Sequence, residues 1–151
     1  MTEPRWLDET EALAWRGYLR MHELLRARLE RELGRDSGLS YTDYQVLVEL
    51  SEVEGLRLRM TELATRLVWS KSRLSHQITR MSKRGLVGKE DCDSDARGSF
   101  AVLTPAGLEA ITVAAPNHVQ AVRHHFLDRL SLAQLEHLIE INSQVAAPLA
   151  E

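Results

Sequence analysis

Residues 60–87 read MTELATRLVWSKSRLSHQITRMSKRGLV, and residues 88–104 continue GKEDCDSDARGSFAVLT. Thr61 is a good N-cap, and Leu63, Ala64 and Leu67 follow at helical spacing, which predicts a short helix. Val68 and Trp69 then occupy a turn. Ser70 can cap a second, longer helix running to Arg84, where Gly85 supplies the left-handed residue that ends it. Leu86 to Glu90 and Ser99 to Leu103 pair as two strands of a hairpin. The tip between them holds Asp91, Asp93, Ser94, Asp95 and Gly98, all turn formers.

Placed on a wheel of about 100° per residue, the longer helix turns Leu74, Ile78 and Met81 toward a core. Its other side carries Ser72, His76, Thr79 and Lys83, flanked by Arg73 and Arg80 and neighboured by Gln77. No acid interrupts that face. Between Arg57 and Lys89 stand nine cations and one acid, Glu62, in a chain whose net charge is −3. A merely solvated helix mixes signs to gain i,i+4 pairs. Helix, turn, helix and hairpin together form a winged helix-turn-helix, a shape that binds DNA. Ser72, Arg73, His76 and Gln77 are expected to meet base edges in the major groove, where Arg suits guanine and Gln suits adenine. Ser70, Lys71, Thr79, Arg80 and Lys83 are expected on the phosphates. Arg97, at the hairpin tip, is expected to enter the minor groove.

The rest of the chain reads as helices. One starts at Asp8 or Thr10 and stops at Leu33, before Gly34. A second runs from Thr42 to about Glu52 with Thr42 and Gln45 as a capping box. Leu56 to Arg59 alternates apolar and polar, as a short strand does. Thr104-Pro105 opens a helix toward Leu127 with a kink expected at Pro116. Ser131 with Gln134 caps the last helix. The expected fold class is therefore mainly α with a small β wing. Its DNA-binding lobe spans 37–104, and residues 1–36 and 105–151 form a helical dimerisation region. The terminal helices are too long and apolar for the lobe to cover, so two chains are expected to pair symmetrically.

Several classes are disfavoured. The protein has one cysteine, Cys92, which excludes an intrachain disulfide and suits a reducing compartment. The N-terminus is polar, and no run approaches the roughly 20 apolar residues of a membrane span. A cytoplasmic protein without membrane contact is expected. No Gly-rich phosphate loop, G-x-S-x-G or HExxH occurs, so the chain reads as no enzyme and as needing no cofactor. Cys92 lies among Glu90, Asp91 and Asp93 and reads as an unreactive thiol. His118, His124 and His125 lack further local ligands, so no metal site is expected. Trp15, Tyr18, His22 and Tyr44 could line an effector pocket, and the same residues equally suit a hydrophobic core. The alternatives to a DNA reader are a winged-helix protein-interaction module and a cysteine- or metal-responsive sensor. The basic, acid-free helix face favours DNA.

The ordered set TELATRL, SKSRLSHQITRMSKRGLV and DSDARGSFAVLTPAG resembles the MarR family of winged helix-turn-helix regulators. The ELA helix, the RGLV helix end, the D-x-D-x-R tip and the LT-x-A-G helix entry fall in family order, and the likeness extends from about Leu7 to Val145. Ala96 stands where the first of two arginines often falls, and Arg97 keeps the second. The resemblance implies a homodimer on a pseudo-palindromic operator in double-stranded DNA, acting as a repressor. It also implies a small anionic or phenolic effector bound between the dimerisation helices and the DNA-binding lobe.

Overall fold

A computed structural model describes residues 3–91 and 98–150. The elements are α1 (Glu9–Ser37), α2 (Tyr41–Ser51), β1 (Arg57–Arg59), α3 (Met60–Leu67), α4 (Lys71–Lys83), β2 (Val87–Asp91), β3 (Ser99–Leu103), α5 (Pro105–His125) and α6 (Leu132–Ala146). The fold is mainly α with a small β wing, as expected from the residue pattern, and the structure adds β1 to the hairpin in an antiparallel sheet of order β1-β3-β2. Among the described residues no helix is long and apolar enough to cross a membrane. The chain forms two compact units, Met1–Leu29 with Val119–Glu151, and Glu30–His118.

The unit Glu30–His118 holds the main core. Leu47 and Leu50 of α2, Leu63 of α3, and Leu74 and Met81 of α4 are completely buried. Leu58, Ala101 and Leu103 cover this cluster from the sheet. Burying a side chain of this size contributes about 1.5–3 kcal/mol, so α3 and α4 are held mainly by their apolar faces. The register pairs Leu58 with Ala101 and Lys89 with Ala101, which puts these residues on the sheet face turned to the core. Arg57, Arg59, Glu90, Phe100 and Val102 take the opposite face.

The helix ends show where local rules hold. Ser70 accepts from the Arg73 amide at 3.1 Å, Gly85 has φ 74°, and Ser131 with Gln134 closes a capping box. Asp8 caps α1 by accepting from the Glu11 amide at 2.8 Å. Four expectations are corrected. Helix α1 does not stop at Gly34 but runs to Ser37, before Gly38. The capping box of α2 is Ser40 with Asp43, not Thr42 with Gln45. Helix α3 begins at Met60, with Arg59 in the cap position and no side-chain cap from Thr61. The short strand begins at Arg57 instead of Leu56. Pro116 lies inside helix α5, as the sequence reading places it.

One junction ties the end of α4 to the start of α5. The Thr104 hydroxyl donates to the Gly85 and Leu86 carbonyls at 2.6 and 2.9 Å, and accepts from the Gly107 amide at 3.0 Å. Gly107 lies so close to the Leu86 carbonyl oxygen that any Cβ there would overlap it, and would sit 2.7 Å from Leu103 Cδ1. Backbone cannot yield as a flexible side chain can. Gly107→Ala is therefore expected to lower stability by about 3 kcal/mol in urea unfolding. An unchanged midpoint would show that the junction has room to spare.

Candidate nucleic-acid interface

Helix α4 divides by residue type into two faces. Leu74, Gln77, Ile78 and Met81 are buried. Ser72, Arg73, His76, Thr79, Arg80 and Lys83 line the other face, together with Ser70 and Lys71 at the start of the helix. The outward face expected from the sequence is present, with one correction. Gln77 is only 3% exposed and points inward. Its amide nitrogen donates to Asp43 Oδ1 at 2.7 Å, and its carbonyl oxygen accepts from Arg80 at 2.6 Å. Both ends of the amide are engaged, so Gln77 offers no free edge to a base.

Asp43 is the hub of this arrangement. Its Oδ2 accepts from Arg84 at 2.6 Å and from the Ser40 amide at 3.0 Å. Burial pushes the Asp43 carboxyl up, but the Arg84 and Ser40 hydrogen bonds and the Arg84 charge outweigh it and hold it below the usual carboxylate value. One carboxylate on α2 thus holds the middle of α4 through Gln77 and its end through Arg84. Nothing in the residue types alone singles out Asp43 as a hub, although Ser40-x-x-Asp43 is a recognisable capping pattern.

The turn before α4 carries a second feature. Val68 takes a left-handed backbone, φ 56°, that a β-branched residue rarely adopts. It is 89% exposed. Beside it Trp69 packs partly against the core. The Arg73 guanidinium lies 4.3 Å from the Trp69 ring centroid. This stacking contributes about 0.5–1 kcal/mol at an exposed site and narrows the arc that Arg73 sweeps. Other cations of the basic stretch are engaged by carboxylates. Arg66 meets Glu62 at 2.9 Å and Glu49 at 3.5 Å, and Arg57 meets Glu90 at 3.4 Å.

The remaining candidates fall in different places. Arg97 and Cys92 lie outside the described residues. Trp15, Tyr18 and His22 form a ladder along α1, with ring centroids 6.0 and 6.2 Å apart. Trp15 and Tyr18 are exposed there. Tyr44 belongs to the core of the Glu30–His118 unit, 4.3 Å from the His118 ring. Burial raises the Tyr44 phenol and lowers the His118 imidazole from their usual values. His124 and His125 stand edge to face at 4.8 Å. Among the described residues no three His, Cys, Asp or Glu side chains converge as a metal site requires.

Comparison with known proteins places this geometry among transcriptional regulators. A family model described as the MarR family matches residues 37–98. The chain is 30% identical over 115 residues to the transcriptional regulator HosA of Escherichia coli O157:H7, covering 76% of this chain and 81% of HosA. Its structure is similar to that of AbsC, a MarR family transcriptional regulator from Streptomyces coelicolor, with a TM-score of 0.92 and 49% identity over 97% of this chain and 98% of AbsC. It is also similar to Sco3205, a MarR family regulator from the same organism solved in complex with DNA. The TM-score there is 0.94 and the identity 47%, over 97% of this chain and 92% of that one.

Asp43 gives the arrangement a testable pH dependence. Its folded pKa is depressed, so its contribution is complete above the unfolded value of about 3.9 and is lost as pH falls through the lower folded value. Asp43→Ala strands the buried Gln77 amide and is expected to cost about 2–3 kcal/mol near neutral pH. Asp43→Asn, which removes the charge, should show a stability gap to the parent that narrows in acid. Urea unfolding as a function of pH measures both, and a gap independent of pH would contradict the assignment.

Proposed function

This chain belongs to the MarR family of transcriptional regulators, and from that premise we propose that it binds double-stranded DNA as a homodimer on a pseudo-palindromic operator. The observation that carries the proposal is the acid-free outward face of α4 above a buried one. Ser72, Arg73 and His76 meet base edges in the major groove, with Arg73 preset by its stacking on Trp69. Ser70, Lys71, Thr79 and Lys83 meet phosphates, helped by the N-terminal end of the helix dipole. Arg80 joins them from a position set by Gln77. Gln77 serves as a positioning residue in place of the base contact its type suggests. Arg97 enters the minor groove on the strength of the sequence alone. That Sco3205, at 47% identity, was solved in complex with DNA supports DNA binding by this chain.

Pairing of two chains through residues 1–36 and 105–151 is part of the proposal, with residues 37–104 as the DNA-binding lobe. Leu13 and Leu24 of α1 and Leu132, Ile139 and Val145 of α6 are exposed, which is more apolar surface than a monomer usually leaves in water. A two-fold dimer presents two copies of α4 to half-sites about 34 Å apart, one helical turn of DNA. Family membership supports a cytoplasmic repressor released by a small anionic or phenolic effector. The Trp15–Tyr18–His22 ladder is the stacking surface such a ligand would use, and Tyr44 is the further candidate.

The test is fluorescence anisotropy with the intergenic DNA upstream of the gene, across a salt series. The expected result is sequence-specific binding whose logarithm falls linearly with log salt, by about 0.9 per phosphate engaged. Arg73→Ala should weaken it about 5- to 150-fold and relax selectivity at one base pair per half-site. Equal binding of every sequence, or none, would move weight to a protein-interaction module. Sedimentation of the free protein should give twice the chain mass, and a monomer at micromolar concentration would refute the pairing.

A further inference from the structure

Between the root of the wing and the start of α4 lies a cleft of about 300 Å³ lined by two lysines. Lys71 lines it from the first turn of α4 and Lys89 from β2, with Thr61, Leu74, Ser75 and Ser99. Arg59 borders it from β1, but its guanidinium is laid over the Phe100 ring on the other face of the sheet, 5.3 Å from the centroid. Among the described residues no acid lines the cleft, and neither lysine has an ion-pair partner. The sheet register explains the place of Lys89. Lys89 sits opposite Ala101, on the face turned to the core, so its side chain is directed to the α4 side. Glu90, the next residue, sits opposite Phe100 on the other face and is occupied with Arg57. Asp91 lies opposite Ser99 at the outer end of the ladder and does not line the cleft.

Two lysines and three hydroxyl-bearing side chains, with no acid among the described residues, are wrong for a metal ion and right for a tetrahedral oxyanion. The volume holds a phosphate group and several waters of about 30 Å³ each. We propose that this cleft is a phosphate seat, occupied in the operator complex by one backbone phosphodiester per half-site. The assignment rests on the DNA-binding reading. With α4 in a major groove and the wing in the adjacent minor groove, the strand separating the two grooves must cross between the start of α4 and the root of β2 and β3. Lys89, Thr61, Ser75 and Ser99 thereby gain a role that the face of α4 does not imply. The same chemistry could also take free phosphate.

The experiment uses the full chain with operator duplexes that carry a single neutral methylphosphonate at each position in turn. The parent should lose about tenfold in affinity at one phosphate per half-site. Lys89→Gln should bind the unmodified operator more weakly and have a salt slope reduced by about 0.9 for each phosphate it no longer engages. It should also be indifferent to the methylphosphonate at that one position, and Lys89→Arg should restore the parent pattern. In a second arm, inorganic phosphate replaces chloride at matched ionic strength without DNA, and the amide resonances of Ser75 and Ser99 are followed. Saturable shifts in the parent that vanish in Lys89→Gln identify free phosphate as an occupant, while their absence leaves the backbone as the source. DNA binding with an unchanged salt slope and undiminished methylphosphonate sensitivity in Lys89→Gln overturns the seat and leaves the DNA reading standing. Failure of the parent to bind DNA while phosphate still titrates Ser75 and Ser99 overturns the DNA reading and keeps the seat.

Discussion

The arrangement of the Glu30–His118 unit depends on one buried carboxylate. Asp43 receives the Gln77 amide, the Arg84 guanidinium and the Ser40 backbone, and no buried side-chain polar atom among the described residues is left without a partner. Apolar packing alone would hold α4 against the core but would leave it free to slide by a fraction of a turn, because Leu, Ile and Met faces tolerate one another in more than one register. A directional charge-assisted bond does not slide. Asp43 fixes α4 in its middle and at its end, and Gln77 passes the constraint outward to Arg80. The network therefore determines which side chains of α4 face outward and in what orientation, while the hydrophobic core supplies most of the stability.

Much of this is legible in the sequence, and the exceptions have physical causes. Ser70 and Gly85 bound α4 because capping and left-handed geometry are local, and nothing distant competes with them. Gly34 reads as a stop because glycine weakens a helix, yet its cost is small enough that the helix runs on to Ser37, before the left-handed Gly38. Gln77 reads as outward-facing from its chemistry. Its angle on the wheel, about 40° from Met81, already puts it on the buried arc. An amide can enter a core only when a partner waits there, and Asp43 lies 34 residues earlier, beyond the reach of any local pattern. The turn at Val68 and Trp69 follows from the sequence, but the stacking of Arg73 on Trp69 needs a three-dimensional view.

The charge count carries a similar limit. Nine cations against one acid between Arg57 and Lys89 suggest a uniformly basic surface. The acids that balance part of it stand just outside that window. Glu49 reaches Arg66, Asp43 holds Arg84, and Glu90 meets Arg57. The field is accordingly concentrated on the α4 face and at the wing root. A ligand is attracted by the field of the whole patch, but it is oriented by the few cations whose charge is not already compensated.

The Thr104 junction has a mechanical consequence. A single hydroxyl grips the carbonyls of Gly85 and Leu86, and Gly107 is pressed against the second of these. The first turn of α5 and the last turn of α4 therefore behave as one machined joint with no play. A torque that rotates α5 about its long axis cannot be absorbed by side-chain rearrangement at this point, because the touching parts are backbone. It must be delivered to the Leu86 carbonyl and so to the pitch of α4. In this joint, stiffness instead of flexibility is what couples the start of α5 to the end of α4.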